Sequence, residues 1–298
     1  MALGIQTNLA SLQGQINVGK STTALQASFA KLSSGLRVTT AADDAAGLAI
    51  SENMKAQIRS YAVAQRNAAD GISMAQTAEG ALGQIHDILG RMRELAMQAS
   101  NGTLGANQST VDGEFQQLKN EIGRIQDSTQ FNGTKLIAFN SSTAAAAVNP
   151  ASVTLQVGLG GSVGAGASDQ LTVSFNGVNL TALTGTYTAG APVGTAGGGA
   201  SLGTTGDAVS ALASIDAAIK SVSDSRATYG AAMNRLNYAV NTIQTMTTNL
   251  TAANGRIVDV DVASESAVMS KNQVLAQAGI SILAQANQLP QLAFGLLK

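Results

Sequence analysis

Residues 229–260 read YGAAMNRLNYAVNTIQTMTTNLTAANGRIVDV, and this stretch decides the fold. Tyr229, Ala232, Leu236, Ala239, Ile243, Met246, Leu250, Ala253, Ile257 and Val260 recur at spacings that alternate between three and four. A stripe of that period, held over more than four heptads, is a coiled-coil seam. Helix resumes upstream near Asp207, so the span to Ile257 predicts a rod roughly 75 Å long at the rise of an α-helix. Such a rod is too long for a compact globule of this chain length.

The two ends carry further stripes and almost no charge. From Met1 to Ala30 the only charged side chain is Lys20, and from Asn272 to Leu297 there is none. Ile5, Leu9, Leu12 and Ile16 line the first end; Val268, Leu275, Ala278, Ile282 and Leu289 line the second. An apolar helical stripe must be buried against something. The expectation is that 1–30 pairs with 272–298, and that further copies of the chain cover what is left. Ile5, Leu9, Leu12, Ile16, Leu275, Ile282 and Leu289 are thus the candidate self-assembly core.

Between the ends the chain runs helix, short β insert, helix. Leu25, Phe29, Leu32 and Leu36 continue the first stripe until Ser33-Ser34-Gly35 and Val38-Thr39-Thr40 interrupt it. Asp43 and Asp44 suit a first helical turn. A second helix should run through Met54, Ile58 and Tyr61 toward Asp70-Gly71. A stronger pattern follows in Leu82, Ile85, Leu89, Met92, Ala96 and Ala99, and stops at Asn101-Gly102. Val111, Phe115, Leu118, Ile122 and Ile125 form a third helix ending near Phe131-Asn132-Gly133, a turn signal. From Ser141 to Gly206 only Asp169 is charged. Short β-rich runs lie at 135–139, 152–157 and 170–175, with Asn176-Gly177 as a hairpin-type turn. A loose tract spans 190–206. The fold class is therefore mainly α: a long antiparallel helical bundle with paired terminal helices, plus a small β-hairpin-rich region mid-chain. Both termini should end at one pole.

Composition narrows the function. The 298 residues carry a net charge of -1 and 12% charged side chains, about half the usual share. This gives no electrostatic reason to expect nucleic acid or an anionic membrane. Aromatics are 3%, Trp is absent and cysteine is absent, so disulfides and Cys-ligated metals are excluded. No apolar run is long enough to span a bilayer, and the N-terminus lacks the basic and apolar regions of a cleaved secretory signal.

One motif offers chemistry. Gly14 to Ser21 fits G-x-x-x-x-G-K-[ST], in which backbone amides cradle phosphates, Lys20 meets the outer phosphates and Ser21 holds magnesium. A P-loop must follow a buried strand, and here a helical stripe runs into it. His86 is the only histidine and no H-E-x-x-H occurs. It reads as a helix-surface residue beside Ile85 and Leu89. Asp43-Asp44 and Asp259/Asp261 read as helix-start acids, and the Gly158–Gly161 and Gly197–Gly199 runs as loop. No catalytic residue, cofactor or metal is expected, and the chain reads as a building block.

Leu32 to Arg37 with Ala42 to Ser51 resembles the N-terminal signature of bacterial flagellins, as do Gln65 to Ser73 and Arg93 to Ala96. Thr129 to Gly133 is similar to the family's turn after the third helix. At the far end, Gln277-Ala-Gly279 and Leu283 to Pro290 resemble the C-terminal motif. The resemblance covers roughly 1–140 and 207–298. It implies an inner terminal domain of 1–42 and 257–298, a helical domain with a β-hairpin of 43–175 and 206–256, and a short outward insert of 176–205. It implies a self-polymerising extracellular filament subunit, exported without a cleaved signal. Export chaperone, cap and junction proteins would be its partners. A hook-filament junction or other axial protein is the alternative. The family is also sensed by a Toll-like innate immune receptor of hosts; the matching positions are Arg91, Leu95 and Glu114, with Gly90 a departure.

Overall fold

The computed structural model describes residues 8–137, 152–160, 169–175, 183 and 199–296, with side chains as far as Gln288. The chain is mainly α. Its helices are α1 (Leu9–Ser34), α2 (Ala45–Ala99), α3 (Gln108–Ser128), α4 (Thr205–Val258) and α5 (Val262–Leu296). Two antiparallel strand pairs complete it: β1 (Gln130–Phe131) with β2 (Thr134–Lys135), and β3 (Ser152–Gln156) with β4 (Gln170–Ser174). The chain forms two compact units, 1–58 with 247–298 and 59–246. α2 and α4 contribute to both.

In the first unit, α1 ends where Gly35 takes φ 73 and donates its N–H to Lys31 O. Glycine alone adopts that left-handed cap without cost. The chain then pairs with the break between α4 and α5. Leu36 bridges Asp259, the Arg37 N–H donates to Val258 O at 2.6 Å, and the Val260 N–H donates to Gly35 O at 3.0 Å. The Arg37 guanidinium adds a bond to Ile257 O at 2.7 Å. Val38 and Val258 are buried beneath this crossing. Acidic caps start the next helices. Asp44 accepts from Gly47 N at 2.8 Å to open α2, and Asp261 accepts from Ala263 N and Ser264 N to open α5.

Asp43 ties the same loop. Its carboxylate accepts the Thr40 N–H, and also the Thr39 hydroxyl and N–H and the Thr40 hydroxyl. Those bonds favour the charged form and bring its pKa from 3.8 to about 2. The folded value is depressed, so the loop's tie is complete above pH 3.8 and is lost as pH falls through about 2. Amide exchange at Thr39 and Thr40 should accelerate only in that window. Acceleration centred on an ordinary carboxylate value near 4 would contradict the arrangement.

The second unit holds the main core. The stripe Leu82, Ile85, Leu89, Met92, Leu95 and Ala96 of α2 is buried, as are Phe115 and Ile122 of α3. Ile215, Val222, Tyr229 and Leu236 of α4 close over them, with Leu171, Val173 and Phe175 beside the β pair. The Tyr229 and Phe175 rings pack tilted at 43° with 5.6 Å between centroids. Asn132 and Gly133, at φ 48 and 78, make the two-residue turn of the β1–β2 hairpin.

Two expectations are corrected here. α2 does not break at Asp70-Gly71; it runs unbroken for 55 residues. Gly71 serves packing instead, because a Cβ there would collide with Leu155 of β3 and lie 3.3 Å from Leu236. The end of the 190–206 tract is not loose. Residues 199–202 lie along α3: Gln108 Nε2 donates to Leu202 O, Leu202 N donates to Asp112 Oδ1, and Gln116 Nε2 donates to Asp112 Oδ1 and Ala200 O. Lys119, 2% exposed, reaches Ala200 O at 3.4 Å. Burial pushes its ammonium pKa down against the pull of Asp112. Of the expected β run at 135–139 only Lys135 lies in a strand, β2; Leu136 and Ile137 follow it as buried bend residues, and the last two residues and the Asn176-Gly177 turn lie outside the described residues.

Candidate assembly surface

α1 and α5 pack antiparallel in the first unit. Near the open end, Asn8 Nδ2 donates to Ala286 O at 2.9 Å, and the Ser11 hydroxyl donates to Asn287 Oδ1 at 2.8 Å. Further along, Gly14 faces Leu283 and Gly279 faces Val18. A line of less exposed positions runs along α1 through Ser11, Gly14, Val18, Ser21, Leu25, Ser28 and Leu32, flanked by Ala24 and Lys31, and along α5 through Met269, Asn272, Ala276, Gly279, Leu283 and Ala286, with Glu265 and Ser266 before it; of these Ser11, Ser28 and Ala286 are buried. Both sets alternate three and four, so the pair is a coiled-coil seam. Its knobs are small, which brings the two backbones close. A Cβ on Gly14 would meet Leu283 at 3.4 Å, and one on Gly279 would meet Val18 at 2.6 Å.

This corrects the expected pairing in one respect. The two ends do pair, but not through the large apolar stripes. Leu9 is 75% exposed, and Leu12 and Ile16 are exposed beside it. On α5, Ile282 is 61% exposed, with Val268, Val274, Leu275 and Ile280 also open. The seam is too narrow for leucine at every position, so the larger residues occupy the outer faces. Ile5 and the Leu289 side chain lie outside the described residues. Covering one such side chain would contribute about 1.5–3 kcal/mol.

The phosphate-loop match lies within α1. The backbone amides a phosphate cradle would use are spent on the helical ladder, and Gly14 serves the seam. The Thr22 and Thr23 hydroxyls also turn back onto Val18 O and Gly19 O. Among the described residues no group of three or more His, Asp or Glu is placed to hold a metal. No described helix is long and apolar enough to cross a membrane. His86 is half-buried on α2, its Nδ1 enclosed without a hydrogen-bond partner.

The three candidate receptor positions separate. Arg91 and Glu114 come together: Arg91 Nε and Nη2 donate to Glu114 Oε1 at 3.0 and 2.9 Å, and Nη1 reaches Glu94 at 3.0 Å. Glu114 and then Glu94 raise the guanidinium pKa above its usual value. Both Arg91 and Glu114 are about half exposed, joining α2 to α3 on the surface. Leu95 is 1% exposed and packs in the core with Met92 and Ala96. It follows the buried stripe of α2 and has no surface to offer a partner in the folded chain.

Close-packed helical ends with bare apolar outer faces define a structural protein built to associate. Residues 5–142 match the bacterial flagellin N-terminal helical region, and 212–297 match the bacterial flagellin C-terminal helical region. The chain belongs to the bacterial flagellin family. It is 42% identical over 295 residues to a flagellin of Halalkalibacterium halodurans, with 99% of each chain covered. To a flagellin of Bacillus subtilis it is 40% identical over 310 residues, again with 99% of each covered. A flagellar filament 33 kDa core protein of Treponema phagedenis is 38% identical over 295 residues, 99% of each. The crystal structure of Bacillus cereus flagellin, 33% identical, covers 63% of this chain and 94% of its own, at a TM-score of 0.46.

Proposed function

We propose that the chain is a structural subunit that polymerises into the helical filament of the bacterial flagellum, the extracellular organelle of swimming. The observation that carries the reading is the pair of bare stripes, on the outer faces of α1 and α5. The two faces differ in sequence, so a contact joining one subunit's α1 face to another's α5 face is heterologous. Heterologous contacts that do not close into a ring grow open helical polymers. With Lys20 the one charged side chain in 1–30 and 272–297, the apolar faces of these ends can desolvate without burying an unpaired ion.

In this reading 1–42 and 257–298 form the inner layer of the filament, 43–175 and 206–256 the next layer, and 176–205 the outward insert. Export chaperone, cap and junction proteins are its further partners. The role is mechanical, not catalytic. The alternative, a junction protein made in few copies, is not favoured, because relatives matched over their full length are named flagellins. Electron microscopy of the pure, concentrated chain tests this directly. Long filaments support the subunit; particles that never grow favour the junction reading.

Recognition by a Toll-like receptor rests on Arg91 and Glu114, the two exposed members of the matching positions. Arg91→Asp removes the paired donors and adds a third carboxylate beside those of Glu94 and Glu114. The receptor-reporter response should fall at least about tenfold, the consequence of losing about 1.4 kcal/mol. Exposed pairs contribute little to stability, so melting should move little. An unchanged response would overturn the assignment.

A further inference from the structure

Three Asn-Gly pairs fall among the described residues, in three different backbones. Asn101-Gly102 occupies the exposed turn after α2. Asn132-Gly133 forms the β1–β2 turn, with both residues at positive φ. Asn254-Gly255 lies inside α4.

At the first pair the side chain folds over its own backbone. Asn101 Oδ1 accepts the Thr103 N–H at 3.4 Å, so the carboxamide lies back along the turn that contains Gly102. Around Gly102 there is open space: a Cβ built there meets nothing within 4 Å. We propose that Asn101 is a site of spontaneous covalent ageing. The Gly102 nitrogen gives up its proton and attacks the Asn101 side-chain carbonyl carbon. A C–N bond forms, the carboxamide C–N bond breaks, and ammonia leaves. Water then opens the five-membered imide at either carbonyl, giving aspartate or its isomer with the backbone running through the side chain.

The other two pairs are held against this reaction. Closing the ring fixes the torsion between the Asn Cα and its carbonyl carbon. At Asn132 that torsion is set by the left-handed turn and the Phe131–Thr134 pairing on either side. At Asn254 the Gly255 nitrogen belongs to the helical ladder, and the Asn254 side-chain oxygen is buried. Reaction there must wait for the helix to open. Conversion at 101 places a carboxylate just past the C-terminus of α2, where the helix dipole disfavours negative charge. The isomer also lengthens the backbone of the turn leading to α3.

The test is peptide mapping by mass spectrometry of the full chain, held at mildly alkaline pH for increasing times. Asn101 should convert at least about tenfold ahead of Asn132 and about a hundredfold ahead of Asn254. In concentrated urea the three rates should converge, because the difference is conformational. Gly102→Ala, which the open space accommodates, should fold like the parent and slow conversion at 101 more than about tenfold. Native rates for 101 and 254 that match, an order that survives in urea, or no conversion at 101 would each overturn the proposal.

Discussion

Removing residues 272–298 abolishes polymerisation and leaves a soluble chain with its main core intact. The deletion takes Asn272, Ala276, Gly279, Leu283 and Ala286 out of the seam, together with the bare Val274, Leu275, Ile280 and Ile282. One of the two proposed contact faces is then gone, and α1 loses the partner of its first half. A single amphipathic helix without a partner is marginal in water, so α1 should fray toward its start. The second unit does not depend on these residues, because its core lies wholly between Ala68 and Leu236. The expected result is no sedimentable polymer at any concentration, lower helicity than the parent, and an unshifted cooperative melting transition. Persistent filaments would remove α5 from the assembly device. Loss of the transition would show that the second unit needs the terminal pair to fold.

Tyr229→Ala should be the most destabilising single change in the second unit, by about 3–5 kcal/mol. Tyr229 is fully buried, packed against the tilted ring of Phe175, and lies where the α4 stripe meets the β pair. Truncation removes the transfer energy of the ring and opens a void among side chains that cannot collapse freely. Burial also carries the phenol from its ordinary 10.0 to about 12. The unfolded chain therefore ionises first, and stability falls as pH rises from 10 toward 12, by about 2 kcal/mol. Denaturant melts across that range, with Tyr229→Phe as the variant that lacks the alkaline loss, check both statements. A cost below about 1 kcal/mol for Tyr229→Ala would mean that the ring is not part of the core.

What could be read in the sequence was what periodicity encodes strongly. The Tyr229–Ile257 part of the first stripe, the Leu82–Ala99 stripe and the Val111–Ile125 stripe lie on the helices they imply, because large apolar side chains at three-four spacing have only one face to share, whereas Val260 falls in the break after α4. Met246 is the exception on the first of these, exposed on α4. The terminal seam was hidden by the same reasoning. The leucines and isoleucines mark the outer faces, while the side of α1 turned to α5 runs Ser11, Gly14, Val18, Ser21, Leu25, Ser28, of which Ser11 and Ser28 are buried. Small residues carry little hydrophobic signal, yet they permit the closest helix approach. The signal was present as a three-four repeat of Ser, Gly and Ala. Gly71 misled for a related reason: a glycine inside a helix can mark close packing as readily as a stop. The docking of 199–202 on α3 rests on single hydrogen bonds from Gln108, Asp112, Gln116 and Lys119, which no periodicity announces. Leu95 stands one residue before Ala96 of the α2 stripe and is 1% exposed, so it shares the core and not the surface that Arg91 and Glu114 occupy.

The central claim is that the outer stripes of α1 and α5 are bare in the single chain and covered in the polymer. The chain has no cysteine, so one introduced thiol reports on one position. Leu12→Cys and Ile282→Cys sit on the exposed faces, and Ser28→Cys sits in the buried seam. The measurement is the rate of thiol labelling in monomer and in polymer. The account predicts fast labelling at 12 and 282 in the monomer, strong protection of both in the polymer, and protection at 28 in both states. Equal labelling of 12 and 282 before and after assembly would contradict it.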